Sequence, residues 1–234
     1  MAIPVMLCAE PRDAHGSDCI GPVERYRYEA LPENSGSEME YSSLTIEKRS
    51  GRLTYTAESR TSGSSERIRI ETGVLGRFYQ AVRDYRSQAK EEKEQIRCDG
   101  EWAYLQKESN HHHIRKYKLS GKPFFGVDGS LLILMRFYPF TEKPVWPVFM
   151  IDFSGETVTL DLRNTGEENV EVPAGTYVCY RMEAVIRIPV LRPKIIFWVA
   201  KDSPHFLVKS IGKRGPFTPS YVTRLLADEN GNKP

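Results

Sequence analysis

The sequence predicts a mostly β protein organised as a long antiparallel meander. Three observations carry this. Residues 167–211 read as consecutive strands with marked turns: EENVEV, a Pro173-Ala174-Gly175 turn, TYVCYRMEAVIRIPV, an LRP turn, KIIFWVA, a KDSPH turn and FLVKSI. Residues 24–70 repeat the pattern, with alternating segments separated by Ser- and Gly-rich turns. Helical periodicity is confined to two stretches, 74–95 and 131–138, so one or two short helices are the most the chain accommodates.

The first segment, Met1 to Ala9 (MAIPVMLCA), is apolar and gives way abruptly to EPRDAHGSD. This is the pattern of a signal-peptide apolar region ending near Ala9, although a basic segment ahead of it is missing. A short buried N-terminal strand is the alternative reading. Leu7 stands where a lipoprotein signal wants a small residue, so a lipid anchor on Cys8 has weak support. With Pro11, Gly16, Gly21 and Pro22, residues 1–22 are expected to be a signal-peptide remnant and irregular leader. Residues 23–226 are expected to form a single β domain, and 227–234 a polar tail.

From Glu24 the strands have one apolar and one polar face. Tyr26 and Tyr28 share a face, with Arg25 and Arg27 opposite; Leu44 and Ile46 continue it. After the Ser50-Gly51 hairpin the returning strand places Leu53, Tyr55 and Ala57 together, and TSGSS leads to Ile68 and Ile70. Residues 74–95 have two readings. Val74, Phe78, Val82, Tyr85 and Ala89 recur at helical spacing, yet two strands joined near Lys90 would continue the meander. LLILMRFYPF (131–140) is the most apolar stretch, a short helix or a buried strand, and Pro139, Pro144 and Pro147 break regular structure from its end onward. Further on, Tyr180, Met182, Ala184, Ile186 and Ile188 share one face, with Cys179, Arg181, Glu183 and Arg187 on the other.

Composition narrows the chemistry. The 234 residues are 40% hydrophobic and 11% aromatic, enough to bury a core. A net charge of +2 does not call for nucleic acid, and no apolar run is long enough for a membrane span. Four cysteines (Cys8, Cys19, Cys98, Cys179) include no C-x-x-C pair. Cys19 with Cys98 is the preferred disulfide among the three that Cys19, Cys98 and Cys179 allow, and Cys179 reads as a small buried hydrophobe. His111, His112 and His113, with His15 and His205, lack carboxylates or thiols at supporting intervals, so no metal site is predicted. No nucleophile elbow, phosphate loop or paired carboxylates placed for acid–base work occur. The basic stretches 115–118 and 212–215 read as polar strand faces and turns. The expectation is a protein without catalytic residues or cofactor.

Val172-Pro173-Ala174-Gly175-Thr176, the Phe197-Trp198 pair, and Asp202 with Pro204-His205 and Leu207-Val208-Lys209 resemble a bacterial family of exported proteins, Domain of Unknown Function 3108. The likeness covers residues 125–226 and is vaguer from Glu24 onward. It implies a sheet curled into an open or half barrel, similar in shape to Lol-type lipoprotein carriers, and a location in the periplasm or cell envelope. It carries no catalytic residue. A half barrel cannot cover its apolar face with strands alone, so a helix, a loop or a ligand must do so. Candidate lining residues are Phe137, Phe140, Trp146, Phe149, Met182, Ile186 and Trp198, each of which could equally be core. The expected partner is a lipid or other hydrophobic small molecule; the alternative is a structural or interaction module that meets an envelope protein through its sheet edges.

Overall fold

A computed structural model describes residues 20–33, 38–73, 78–108, 113–119, 124–127, 129–142, 145–188, 193–213 and 219–230. The expected leader up to Cys19, the Cys19–Cys98 pairing, His15, His111, His112 and the Arg214-Gly215 loop lie outside these residues.

Among the described residues, fifteen strands form one sheet that does not close into a barrel. An N-terminal arm runs as a simple antiparallel meander: β1 (Val23–Pro32), β2 (Glu40–Arg49), β3 (Arg52–Arg60), β4 (Ser64–Gly73), β5 (Phe78–Ser87), β6 (Glu91–Cys98), β7 (Trp102–Lys107) and β8 (His113–Lys118). The C-terminal arm comprises β10 (Trp146–Ile151), β11 (Thr157–Val172), β12 (Gly175–Ile186), β13 (Lys194–Ala200), β14 (Leu207–Lys213) and β15 (Ser220–Asp228). β15 pairs with β1 and joins the arms in the middle of the sheet. One free edge is therefore β8. The other is β9 (Phe124–Val127), a short strand parallel to β10. The chain passes from one edge to the other between β8 and β9, and α1 (Leu131–Arg136) lies on the crossover that joins β9 to its parallel neighbour β10.

The alternation seen in the sequence sets the faces. Tyr26, Tyr28 and Ala30 of β1, Ile46 of β2, Leu53 and Tyr55 of β3, and Ile68 and Ile70 of β4 are buried on the face that α1 packs against. On α1, Leu131, Ile133, Leu134, Met135 and Arg136 are buried. The helix has only six residues, because Pro139 disfavours helical backbone at Tyr138 and ends the run. Such a short helix is not stable by itself and depends on this packing. The Ser130 hydroxyl anchors its start, accepting from Val127 N (2.8 Å) and donating to Val127 O (2.6 Å).

The helical alternative for 74–95 is not realised, since residues 78–98 form β5 and β6 with the turn near Lys90. Two features blur the alternation there. A bulge opposite Glu71 and Thr72 shifts the phase at the start of β5. Arg83 and Glu94 also take inward positions as a charged network. Arg83 donates to Glu66 (2.5 Å) and Glu94 (2.8 Å), and Lys107 pairs with Glu94 (2.8 Å). At the C-terminus β15 runs to Asp228, and Asn230 bonds both backbone groups of Arg25.

The two arms meet again across the opening without a β ladder. Arg115 of β8 donates to Ser154 O (3.3 Å), and the Tyr117 hydroxyl to Gly155 O (2.8 Å). Gly155 has φ +90°, and a Cβ there would stand 2.7 Å from both the Arg115 guanidinium and the Tyr117 hydroxyl. Any other residue would be strained at this φ and would have to push those two side-chain ends aside.

Candidate ligand cleft

The seven candidate lining residues are all packed into the core or against it, and none of them lines either of the two hollows described below. Phe140 stacks on Tyr180 with centroids 4.2 Å apart and tilts against His205 at 4.8 Å. Tyr138 meets Phe140 and Trp146 edge-on. Met182 is fully buried opposite Phe197, Phe149 is buried in β10, and Phe137 and Ile186 are half-buried against the same core. Trp198 lies across from Arg181, on the face opposite to Met182. Its indole N–H donates to Glu168, and Lys209 sits 5.1 Å from its ring centre. The seven therefore do not form a single wall.

The structure brings a different set together. A cleft of about 120 Å³ lies between α1 and the inner faces of β1–β4. Its walls include Leu44, Ile46, Ala57, Ile68, Ile70, Leu132 and Ile133, with Tyr28, Tyr55 and Arg136 as the larger polar-tipped members. A Cβ added at Gly129, just before the helix, would stand in ordinary van der Waals contact with the Ile68 and Ile70 side chains, 3.7 Å and 3.9 Å away. A larger hollow of about 260 Å³ on the outer face of β6–β8 is lined by Gln95, Arg97, Tyr104, Gln106 and Ile114, mostly long polar side chains of neighbouring strands. That lining offers little apolar enclosure, so the inner cleft is the better binding candidate.

At one end of the cleft is a buried charge pair. Arg136 Nη1 is 2.7 Å from Glu24 Oε2, with both side chains under 5% exposed. The Tyr26 hydroxyl donates to the same carboxylate oxygen (3.0 Å), and Gly21 N donates to Oε1 (3.3 Å). Burial works against the Arg136 charge, but Glu24 and the surrounding tyrosines outweigh it and hold the guanidinium protonated. Burial drives the Tyr55 phenol well above its ordinary range, only partly opposed by Arg136. It therefore remains a neutral O–H group. The Tyr28 hydroxyl is committed to Leu207 O at 3.2 Å.

Sequence reasoning places Tyr28, Leu44, Ile46, Tyr55, Ala57, Ile68 and Ile70 on the apolar strand faces but does not join them into a site. It passes over Glu24 and Arg136. A signal for both is present: Glu24 is in phase with Tyr26 and Tyr28, and Arg136 is the lone charge in LLILMRFYPF. Elsewhere, Cys179 is buried in β12, where burial pushes its thiol up to about 12. Among the described residues no group of His, Cys, Asp and Glu is arranged to hold a metal ion, and no helix is long and apolar enough to cross a membrane.

These features define an open β half-barrel with a strap carrying one short helix across its inner face. The solved structure of a β-barrel-like protein of Domain of Unknown Function 1849 from Brucella abortus shares this fold, with a TM-score of 0.61 at 8% identity over 88% of this chain and 97% of that one. Two further solved chains align over similar lengths at lower scores. An inferred lipoprotein from Parabacteroides distasonis has TM-score 0.37 and 9% identity over 89% of this chain and 96% of that one. An inferred exported protein of YmcC-like fold from Bacteroides fragilis has TM-score 0.31 and 10% identity over 88% and 95%. No protein-family model matches the chain, so membership of Domain of Unknown Function 3108 is not established, and no curated protein matches it.

Proposed function

We propose that this protein is a non-catalytic component of the cell envelope that holds a hydrophobic ligand on the inner face of its half-barrel. The observation that carries this reading is the apolar cleft between α1 and β1–β4. It lies on the face that an open sheet leaves uncovered by strands, and its walls are mostly aliphatic and aromatic, with Ser42, Ser43 and Arg136 among them. The apolar Met1–Ala9 segment and the motif likeness to exported proteins of Domain of Unknown Function 3108 support the envelope location. A volume of about 120 Å³ is below the ~300–1,000 Å³ of sites that enclose a drug-sized molecule. The cleft is nearer the ~150 Å³ apolar cavity that admits benzene. The ligand part bound there is thus a short apolar segment, with the rest of the molecule outside it or accommodated by displacement of α1.

Native mass spectrometry of protein extracted under mild conditions, with titration of an apolar fluorophore, tests this. A co-purifying lipid or a saturable fluorophore signal is the expected result. Absence of both would reject it. A second reading, an assembly module that pairs through a sheet edge, is favoured by Ile114, 63% exposed on edge strand β8. Crosslinking from a probe placed at position 114 should then capture one defined envelope protein, and only background labelling would count against it.

A further inference from the structure

We infer that the cleft is selective for a ligand carrying an uncharged carbonyl, an acyl ester or amide, whose oxygen accepts hydrogen bonds from Arg136 Nη2 and the Tyr55 hydroxyl. This rests on the hydrophobic-ligand reading and gives it a chemical class. Among the described residues, a handful of buried side-chain polar atoms have no hydrogen-bond partner. Two of them, Arg136 Nη2 and Tyr55 Oη, belong to residues bordering this one cleft. Both residues are buried, Arg136 4% exposed and Tyr55 2%, and the two atoms themselves are closed to solvent, so a ligand oxygen reaches them only when α1 or a neighbouring side chain shifts.

Buried polar groups are almost always paired, so two unpartnered ones on the same cleft call for a common explanation. Both groups have a hydrogen to give. A guanidinium has donors only, and a neutral phenol serves here through its O–H. The missing complement is an acceptor. Its charge follows from Glu24, which already holds Arg136 Nη1 at 2.7 Å and cancels the positive charge. An anion placed there would be a second negative charge in a buried site with one cation, which desolvation opposes. A neutral carbonyl oxygen, with two lone pairs for two donors, meets the requirement. The flanking Leu44, Ile46, Ile68, Ile70, Leu132 and Ile133 suit the adjoining methylenes.

The test uses displacement of a bound apolar fluorophore from the whole protein by methyl octanoate, by nonane and by the octanoate anion at pH 8. Tyr55→Phe removes only an unpartnered hydroxyl, so the variant should fold with an unchanged or higher denaturation midpoint. The expected result is that Tyr55→Phe weakens methyl octanoate by about fivefold to tenfold, leaves nonane unchanged, and that octanoate binds no more tightly than its ester. If both probes weaken alike, or neither does, the carbonyl inference fails while the hydrophobic-ligand reading survives; water alone then satisfies the two donors. Tighter binding of octanoate than of its ester overturns the neutral-acceptor argument. If no fluorophore binds at all, the hydrophobic-ligand reading fails, and this inference with it.

Discussion

The charge pair beneath α1 gives the sharpest test of the structure. In Glu24→Gln the amide can still accept from the Tyr26 hydroxyl, which now lies 3.0 Å from a carboxylate oxygen, but the negative charge is gone. Arg136 is then a buried cation without a counter-charge, and it cannot escape by losing its proton. The expected cost is about 3–5 kcal/mol, with little change between pH 5 and pH 7. Arg136→Met instead leaves a buried carboxylate, which can escape by taking up a proton. Protonating an ordinary glutamate at pH 7 costs about 1.4 kcal/mol for each of the roughly 2.7 pH units above ~4.3, so this part of the loss has a ceiling near 3.7 kcal/mol. At pH 5 the same ceiling is about 1 kcal/mol. The second variant should therefore recover on acidification and the first should not. The double variant, with neither charge buried, should be close to wild type or above it. Urea denaturation of all four proteins at pH 5 and pH 7 gives the cycle, and a coupling of at least ~2 kcal/mol at pH 7 is expected. Single variants that each cost under ~1 kcal/mol and add without coupling would refute the burial and pairing of these two side chains.

Three other predictions bear on separate parts of the fold. Gly155→Ala should cost about 1–3 kcal/mol, because its Cβ meets Arg115 and Tyr117. Gly51→Ala, at φ +75° with nothing within 4 Å, should cost less, and equal shifts in denaturation midpoint would remove the collision argument. Glu183 accepts from Arg163 (2.7 Å), Arg181 (2.9 Å) and Lys194 (3.3 Å), and these bonds, Arg163 first, hold its carboxyl down at about 2. A depressed carboxyl contributes stability above the ordinary value of 4.5 and loses it as pH falls through about 2. The full shift is worth about 3 kcal/mol, but Arg163 and Lys194 are half-exposed, so the gap between wild type and Glu183→Gln should be ~1–2 kcal/mol at pH 7 and close on acidification. A gap constant from pH 7 to pH 2 would contradict this. Finally, the buried Cys179 thiol, raised to about 12, should resist iodoacetamide at pH 8 in the native protein and react on denaturation; rapid native labelling would show that β12 is open to solvent.

The meander is legible because strand period and burial agree over most of it. Tyr26, Tyr28, Ile46, Leu53, Tyr55, Ile68 and Ile70 are all buried where alternation puts them. The Pro173-Ala174 turn also follows from local chemistry, with Gly175 taking φ +136° beyond it. The phase fails where tertiary structure overrides it. In β5 and β6 a bulge and inward-facing charges mimic helical spacing. In β13, Phe197, Trp198, Val199 and Ala200 are all buried, so composition does not say which of them faces inward. Pattern alone groups Trp198 with Met182 for that reason, although register puts them on opposite faces. The cleft itself is illegible in the sequence because its walls come from β1–β4 and from a helix about sixty residues further along the chain, and only the strand order brings them together.

That strand order also explains why recognition and stability should be linked in this protein. Pairing the first strand with the last puts the free edges at β8 and β9, and because β9 runs parallel to β10 the chain between these two must cross over the sheet. Its one described helix is too short to persist alone. It is held by apolar burial, by the Ser130 hydroxyl at its start and by Arg136 at its end, through Glu24 on the central strand β1. Arg136 thus uses one nitrogen to fasten the strap and leaves the other buried and unpartnered in a residue that borders the cleft the strap creates. A ligand that engages this second nitrogen binds only when the strap is docked, so it must stabilise docking by the same free energy. Present at 100 times its dissociation constant it should raise unfolding stability by about 2.7 kcal/mol. A ligand that binds as tightly without raising the denaturation midpoint would have to sit somewhere other than beneath α1.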